Sequence, residues 1–262
     1  MKYFFIGKHR VKVYDSIDDL PMARFHKYNK FLLIDAGLGS DMQSFDAHIE
    51  KVVRFMKSGD KDNAAKELEN MRQNVYIMLT EQSPQNLSFA ALVAEIDDVE
   101  MNDLSDDGLE RVRQMLEDAP RKDITAALQA VKKKIDEDLT LYFPSLFDST
   151  DEKEYYDMMK RRAQMELEQI TDGDSEERRA RITELEDRMV TAVKPRTFTG
   201  RDAFGVQHDK AYMKMCLMIS SNLNADASRM TVLEYYTASE YMHEMAKERQ
   251  KAVAKAGKGA RV

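Results

Sequence analysis

The sequence predicts a mainly α fold: a multi-helix bundle with an N-terminal β-hairpin, a projecting helical hairpin and a C-terminal helical segment after a linker. Three observations lead there. Glycine and proline are scarce, 10 and 5 of 262 residues, against usual frequencies of about 7 % and 5 %, so few turns interrupt the chain. Charged residues reach 33 % while apolar ones stay at 43 %, the balance of helices that bury one stripe and solvate the rest. Apolar residues also recur at intervals of three and four through most of the length, the helical period.

The exception comes first. Tyr3-Phe4-Phe5-Ile6 and Val11-Lys12-Val13-Tyr14 flank Gly7-Lys8 and read as two short strands joined by a tight turn. A lone hairpin is marginal in water, so this one is expected to rest on the helices or to add to a sheet edge of another protein. A helix over 22–33 follows, with Met22, Phe25, Leu32 and Leu33 on its repeat and Gly37-Leu38-Gly39 closing it. Ser40 is the expected cap of the next helix, whose stripe is Phe45, Ile49, Val52 and Met56. Ser58-Gly59-Asp60 separates it from a second, with Ala64, Leu68, Met71, Val75 and Met78 facing inward, and Ser83-Pro84 stops that one. The two are expected to pair antiparallel.

Residues 87–96 form a short apolar segment, and from Glu95 to Glu110 there are eight carboxylates and no Lys or Arg. Ser105 is the expected cap of a helix over 106–118, and Ile124, Leu128, Val131, Ile135 and Leu139 mark another, ended by Tyr142-Phe143-Pro144. Thr150 caps a charged helix to about Ile170, and Asp174 with Glu177 has capping-box spacing for one more, carrying Ile182, Leu185, Met189 and Val193. Narrow apolar stripes on broad charged faces suit a projecting helical hairpin. Pro195, Gly200 and Gly205 mark an aperiodic linker, before a Met-rich helix over 211–221 and a last helix over 231–251. The reading divides the chain into 1–193, a linker over 194–208, and 209–262 with a basic tail.

Several function classes drop out. One cysteine, Cys216, cannot form an internal disulfide, and no Cys/His cluster surrounds it, so a secreted disulfide scaffold and a zinc ribbon are disfavoured. No run approaches the ~18 apolar residues of a spanning helix, and the first apolar run is too short for a signal peptide; no membrane partner and a cytoplasmic site of synthesis are expected. Forty basic against 47 acidic residues give a net charge of −7, which does not describe a free-standing DNA binder.

Candidate chemistry is sparse. His243-Glu244 begins like a metalloprotease helix, but Lys247 stands where the second histidine belongs. Glu240-x-x-His243 has the spacing of a di-iron ligand pair and no second such pair exists. Asp103 to Gly108 imitates the first half of a calcium loop, yet position twelve is Gln114, so a helix cap is the better reading. Gly37-Leu38-Gly39-Ser40 lacks a P-loop lysine. The other histidines, His9, His26, His48 and His208, are scattered, and no Gly-x-Ser-x-Gly elbow occurs. No catalytic, cofactor-binding or metal residue is assigned, and the protein is expected not to be an enzyme. Cys216 sits among Met213, Met215, Leu217 and Met218 and reads as a small apolar side chain.

The surfaces offer more. Tyr3, Phe5, Val11 and Val13 of the hairpin are the candidate partner contacts at one end. At the other, Lys247, Arg249, Lys251, Lys255, Lys258 and Arg261 face only Glu248, a local charge of +5, so Lys251, Lys255, Lys258 and Arg261 are candidates for contact with DNA or an acidic partner.

Three segments, Tyr14 through Gly39, Leu141 to Phe147 with Lys153 to Tyr156, and Met230 to Tyr236, resemble virion proteins of tailed bacteriophages that infect Bacteroidales, the crAss-like group included. The resemblance implies a structural, homo-oligomeric role in the virion, as a ring or head-tail connector protein between portal and tail, made in the host cytoplasm. A tail-assembly chaperone is the near alternative. A nucleic-acid-associated regulator acting through the basic tail is the alternative from the charge pattern.

Overall fold

The computed structural model describes residues 1–80, 83–147, 150–173, 175–192 and 194–259, with the side chains of 147, 150–156, 172, 190–192 and 252–259 left aside. In chain order the elements are β1 (Lys2–Ile6), β2 (His9–Val13), α1 (Met22–Leu38), α2 (Met42–Lys57), α3 (Lys61–Thr80), α4 (Pro84–Leu92), β3 (Val93–Ile96) and β4 (Val99–Glu100). Then come α5 (Asp106–Met115), α6 (Arg121–Tyr142), α7 (Thr150–Asp172), α8 (Glu176–Ala192), α9 (Phe204–Leu223) and α10 (Val232–Gly259). The fold is mainly α, as the composition predicts.

The chain forms two compact units, and both are discontinuous: 1–33, 84–143 and 205–262 make the first, 34–83 and 144–204 the second. The contiguous division expected from the linker is corrected by this. Long-range pairing is the reason. Met22 N–H donates to the Met230 carbonyl at 2.8 Å, and Val232 and Leu233 N–H donate to Leu20 and Ile17 at 2.9 and 3.1 Å, which ties the start of α10 to the segment before α1. Residues 194–203 are also fastened rather than free: Asn70 donates to the Arg196 carbonyl at 3.0 Å, and Phe198 lies 5.9 Å from the Phe204 ring.

In the first unit the hairpin belongs to a four-stranded antiparallel sheet of order β1-β2-β3-β4. Gly7 at φ +56° supplies the positive φ at the first turn position that joins β1 to β2. Asp97 and Asp98, at φ +47° and +67°, make the primed turn between β3 and β4. The sequence reading absorbed both into an acidic run and so missed the second hairpin. Ile6, Val11, Val13, Val93 and Ile96 are fully buried on the inner face, where α4, α6, α9 and α10 contribute Phe89, Ile135, Ile219 and Val232 to one continuous core. The predicted α6 stripe is buried at every position, Ile124, Leu128, Val131, Ile135 and Leu139. Arg24 is buried beneath the sheet and donates to the Ala91 and Val93 carbonyls at 3.2 and 2.8 Å and to that of Met101, with the Tyr14 ring 5.1 Å from its guanidinium. It closes backbone groups that would otherwise be orphaned at the end of the sheet.

The second unit is helical. Its α2 is capped by Asp41, which accepts from Ser44 N–H at 2.8 Å, not by Ser40. Ser175 caps α8 through Arg178 N–H at 3.2 Å; Asp174 lies outside the described residues. In the first unit Ser105 caps α5 as expected, accepting from Gly108 N–H. The helical hairpin of α7 and α8 is anchored on α2: Arg54 pairs with Glu186 at 2.5 Å, Arg162 reaches the same carboxylate at 2.9 Å, and Leu185 is buried.

Candidate functional site

The predicted contact residues of the hairpin divide by the alternation of a strand. Tyr3 and Phe5 are on the outer face of the sheet, 50 % and 78 % exposed, whereas Val11 and Val13 are wholly buried. The two valines fill this chain's own core, which corrects their assignment as partner contacts. Arg10 and Lys12 stand over the Tyr3 ring at 5.3 and 5.7 Å, and Lys12 also pairs with Glu95 at 3.6 Å. Because Ile6 and His9 flank a two-residue turn, they form a hydrogen-bonded pair. Lys2, Phe4 and Ile6 therefore bond to β2, while Tyr3 and Phe5 direct their N–H and C=O groups to the open edge of β1. At the other end of the chain Lys251 is exposed near the end of α10. The backbone of α10 continues to Gly259, beyond the expected end at 251; the side chains of Lys255 and Lys258, and Arg261 entirely, lie outside the described residues.

A titratable cluster that the sequence did not reveal joins α1 to α9 in the first unit. His26 Nε2 and Asp209 Oδ1 share a hydrogen bond at 2.8 Å, and Lys30 Nζ donates to Asp209 Oδ2 at 2.6 Å. The His26 ring stacks on Tyr212 at 4.1 Å and on His208 at 4.5 Å, nearly parallel to both. Burial pushes the His26 pKa down, against the opposing pull of Asp209. Asp209 is held low by Lys30 and His26 although burial opposes it. His26, His208 and Asp209 place their ligand atoms within 4.8 Å of one another, yet parallel imidazoles keep their lone pairs in separate planes and cannot converge on one ion. Lys30 already neutralises the carboxylate. With His26 buried and Asp209 tied to both His26 and Lys30, the cluster is an interhelical clamp. Its partners are far apart in sequence, and no local signal pairs them. Among the described residues Glu240 and His243 gain no third ligand. Burial raises the Cys216 thiol pKa, the opposite of what a nucleophile needs.

The second unit holds the largest departure from the sequence reading. On α3 the buried side is polar: Asn63, Glu67, Asn70 and Asn74, with Ala64 and Ile77. His48 of α2 bonds to Glu67 through Nδ1 at 2.6 Å and to the Leu38 carbonyl through Nε2 at 2.9 Å. Asn74 donates to the same carbonyl at 3.0 Å. These side chains satisfy the backbone at the end of α1 and in the 194–203 segment, which an apolar stripe cannot do. Of the expected inward stripe, Ala64 is buried and Met71, Val75 and Met78 are half-buried. Leu68 is exposed, as are Tyr76 and Leu79 on the side of α3 away from Glu67. On α2 the buried residues are His48 and Phe55, and Met42, Ile49, Val53 and Met56 are exposed at spacings of seven, four and three, on one helical face.

Compared with protein-family models, curated proteins and solved structures, the chain matches none.

Proposed function

We propose that the protein is a non-enzymatic structural subunit of a tailed-phage virion, a ring or connector protein that joins portal and tail as a homo-oligomer. The observation that carries the assembly role is the outer surface of the second unit, where α2 exposes Met42, Ile49, Val53 and Met56 on one face and α3 exposes Leu68, Tyr76 and Leu79 while burying Asn63, Glu67, Asn70 and Asn74. A contiguous apolar surface is a docking surface far more often than an accident, and a repeated subunit needs such faces to hold its neighbours. The virion assignment draws on the resemblance of residues 14–39, 141–147 with 153–156, and 230–236 to phage virion proteins.

Quantitative mass spectrometry of purified particles tests this reading. A connector subunit is retained in the finished particle at a fixed multiple relative to portal, and purified protein mixed with portal protein gives a closed complex by light scattering. Absence from the finished particle, with binding to tail proteins before assembly, would replace the connector by an assembly chaperone. Removing 1–14 is a poor probe, because Ile6, Val11 and Val13 are core residues; Leu79→Lys with Met56→Lys addresses the outward faces and spares the core.

A further inference from the structure

We infer that β1 pairs antiparallel with β1 of a second copy of this chain, about a two-fold axis at Phe4. The inference goes beyond the proposed assembly role, since a two-fold pair is an isologous contact and not the head-to-tail contact that closes a ring, and it rests on the geometry of the β1 edge. That edge carries outward N–H and C=O groups at Tyr3 and Phe5, and among the described residues no backbone hydrogen bond closes them. Natural edges of this kind are usually blunted by proline, a bulge or an inward charge. In this sheet the register shift falls between Lys12 and Val13, where β2 meets β3, and the run Tyr3-Phe4-Phe5 is left regular and uncharged.

The register follows from which groups point outward. With the axis at Phe4, Tyr3 stands opposite Phe5 of the second copy and Phe5 opposite its Tyr3. Both are hydrogen-bonded pairs of an antiparallel ladder, so each outward N–H meets an outward C=O. A shift of one residue would set these groups against residues whose own groups are already bonded to β2. The same axis brings the most exposed aromatic of the sheet, Phe5, against Tyr3 of the other chain on one face, a favourable cross-strand pair. Arg10 and Lys12, already over Tyr3, border that cluster and add cation–π contact. Charges agree as well, since Lys2 falls opposite Ile6 and no like charges are opposed. Two five-residue strands bury less than the roughly 1,200 Å² of a stable stand-alone interface, so the pairing is weak alone and gains strength when other faces are held together.

Cysteine cross-linking in a Cys216→Ser background tests it. A hydrogen-bonded pair sets Cα atoms about 5.5 Å apart, within disulfide range, whereas two copies of the same edge residue sit on a diagonal beyond about 7 Å. Tyr3→Cys chains mixed with Phe5→Cys chains are expected to oxidise to a dimer of twice 30.3 kDa, and neither variant alone does so. Phe5→Pro removes one outward N–H and no bond of the hairpin; it is expected to abolish the concentration-dependent rise in mass of the wild-type chain while its circular dichroism is unchanged. Equal cross-linking of single and mixed variants, or undiminished association of Phe5→Pro, would overturn the pairing, as would a wild-type chain monomeric at hundreds of micromolar. Those results leave the content of purified particles, and with it the assembly reading, to be judged separately.

Discussion

Helices α6 and α3 have similar lengths and similar apolar spacing, yet they bury opposite kinds of side chain. In α6 the five-residue apolar row is inside, against a sheet whose inner strands are satisfied by their own ladder and whose end is closed by Arg24. In α3 the inside is Asn63, Glu67, Asn70 and Asn74, because what α3 must cover includes the ends of other segments, with carbonyls at Leu38 and Arg196 that need donors. Apolar periodicity tells which side chains want to leave water. It does not tell whether the place they find is in the same chain.

The contrast can be broken most forcefully in the first unit. Ile135→Ala, in the fully buried row of α6, is expected to lower the unfolding free energy by about 3 kcal/mol through lost transfer energy and a cavity, read by urea denaturation with hydrogen exchange at α6. In the second unit His48→Ala removes the close partner of buried Glu67 and leaves it only Lys51 at 3.9 Å; it is expected to cost up to about 3 kcal/mol, because a buried acid loses its short hydrogen bond. The double variant His48→Leu, Glu67→Met is expected to return to within about 1 kcal/mol of wild type. A double variant as unstable as the single one would mean that the Leu38 carbonyl needs the His48 donor as well as that of Asn74.

Acidification acts with opposite sign on His26 of the first unit and Asp35 of the second. The His26 pKa lies below its ordinary value of 6.5, so the folded first unit takes up a proton less readily than the unfolded chain. Its stability falls as pH drops below about 6.5 toward that lowered pKa. Asp209, also held low, extends the loss below the ordinary carboxylate range. Asp35 of the second unit is raised by burial, so its charged form is a cost above that raised pKa, and acidification through it relieves the cost. Hydrogen exchange at pH 7.5 and 5.5 should show faster opening of α1 residues 22–33 and α9 at the lower pH, a change that His26→Gln removes; equal acid sensitivity in that variant would refute the assignment. The smallest effect on folding belongs to the surface. Leu79→Lys, at a side chain 80 % exposed, should change stability by less than about 0.5 kcal/mol while reducing incorporation into the assembly, and normal incorporation would show that α3 faces solvent there.

Helix existence was legible nearly throughout, and so were the Ser105 cap, the first hairpin turn and the α6 row. Each rests on interactions within a few residues: a side-chain oxygen meeting a nearby N–H, a glycine at positive φ, a repeat on one face. The second hairpin escaped because two aspartates took the positive-φ turn positions that glycine or asparagine usually fills. Of the hairpin contacts, Tyr3 and Phe5 are on the exposed side and Val11 and Val13 are not, a division settled by which face of the sheet met the helices. The clamp of His26, Lys30 and Asp209 could not be read at all, since α1 and α9 meet only once the chain has folded back across more than half its length.

What the sequence determined by itself is therefore the local part: a helical chain with an N-terminal β element, its breaks, and which residues carry apolar surface. The tertiary structure alone decided the interleaving of the two units, the polar inner face of α3 and the outward rows of α2 and α3. The reason is physical. Backbone conformation is set by neighbours along the chain, whereas burial is set by whatever surface arrives from elsewhere, and a surface ending in unpaired carbonyls selects donors over hydrocarbon.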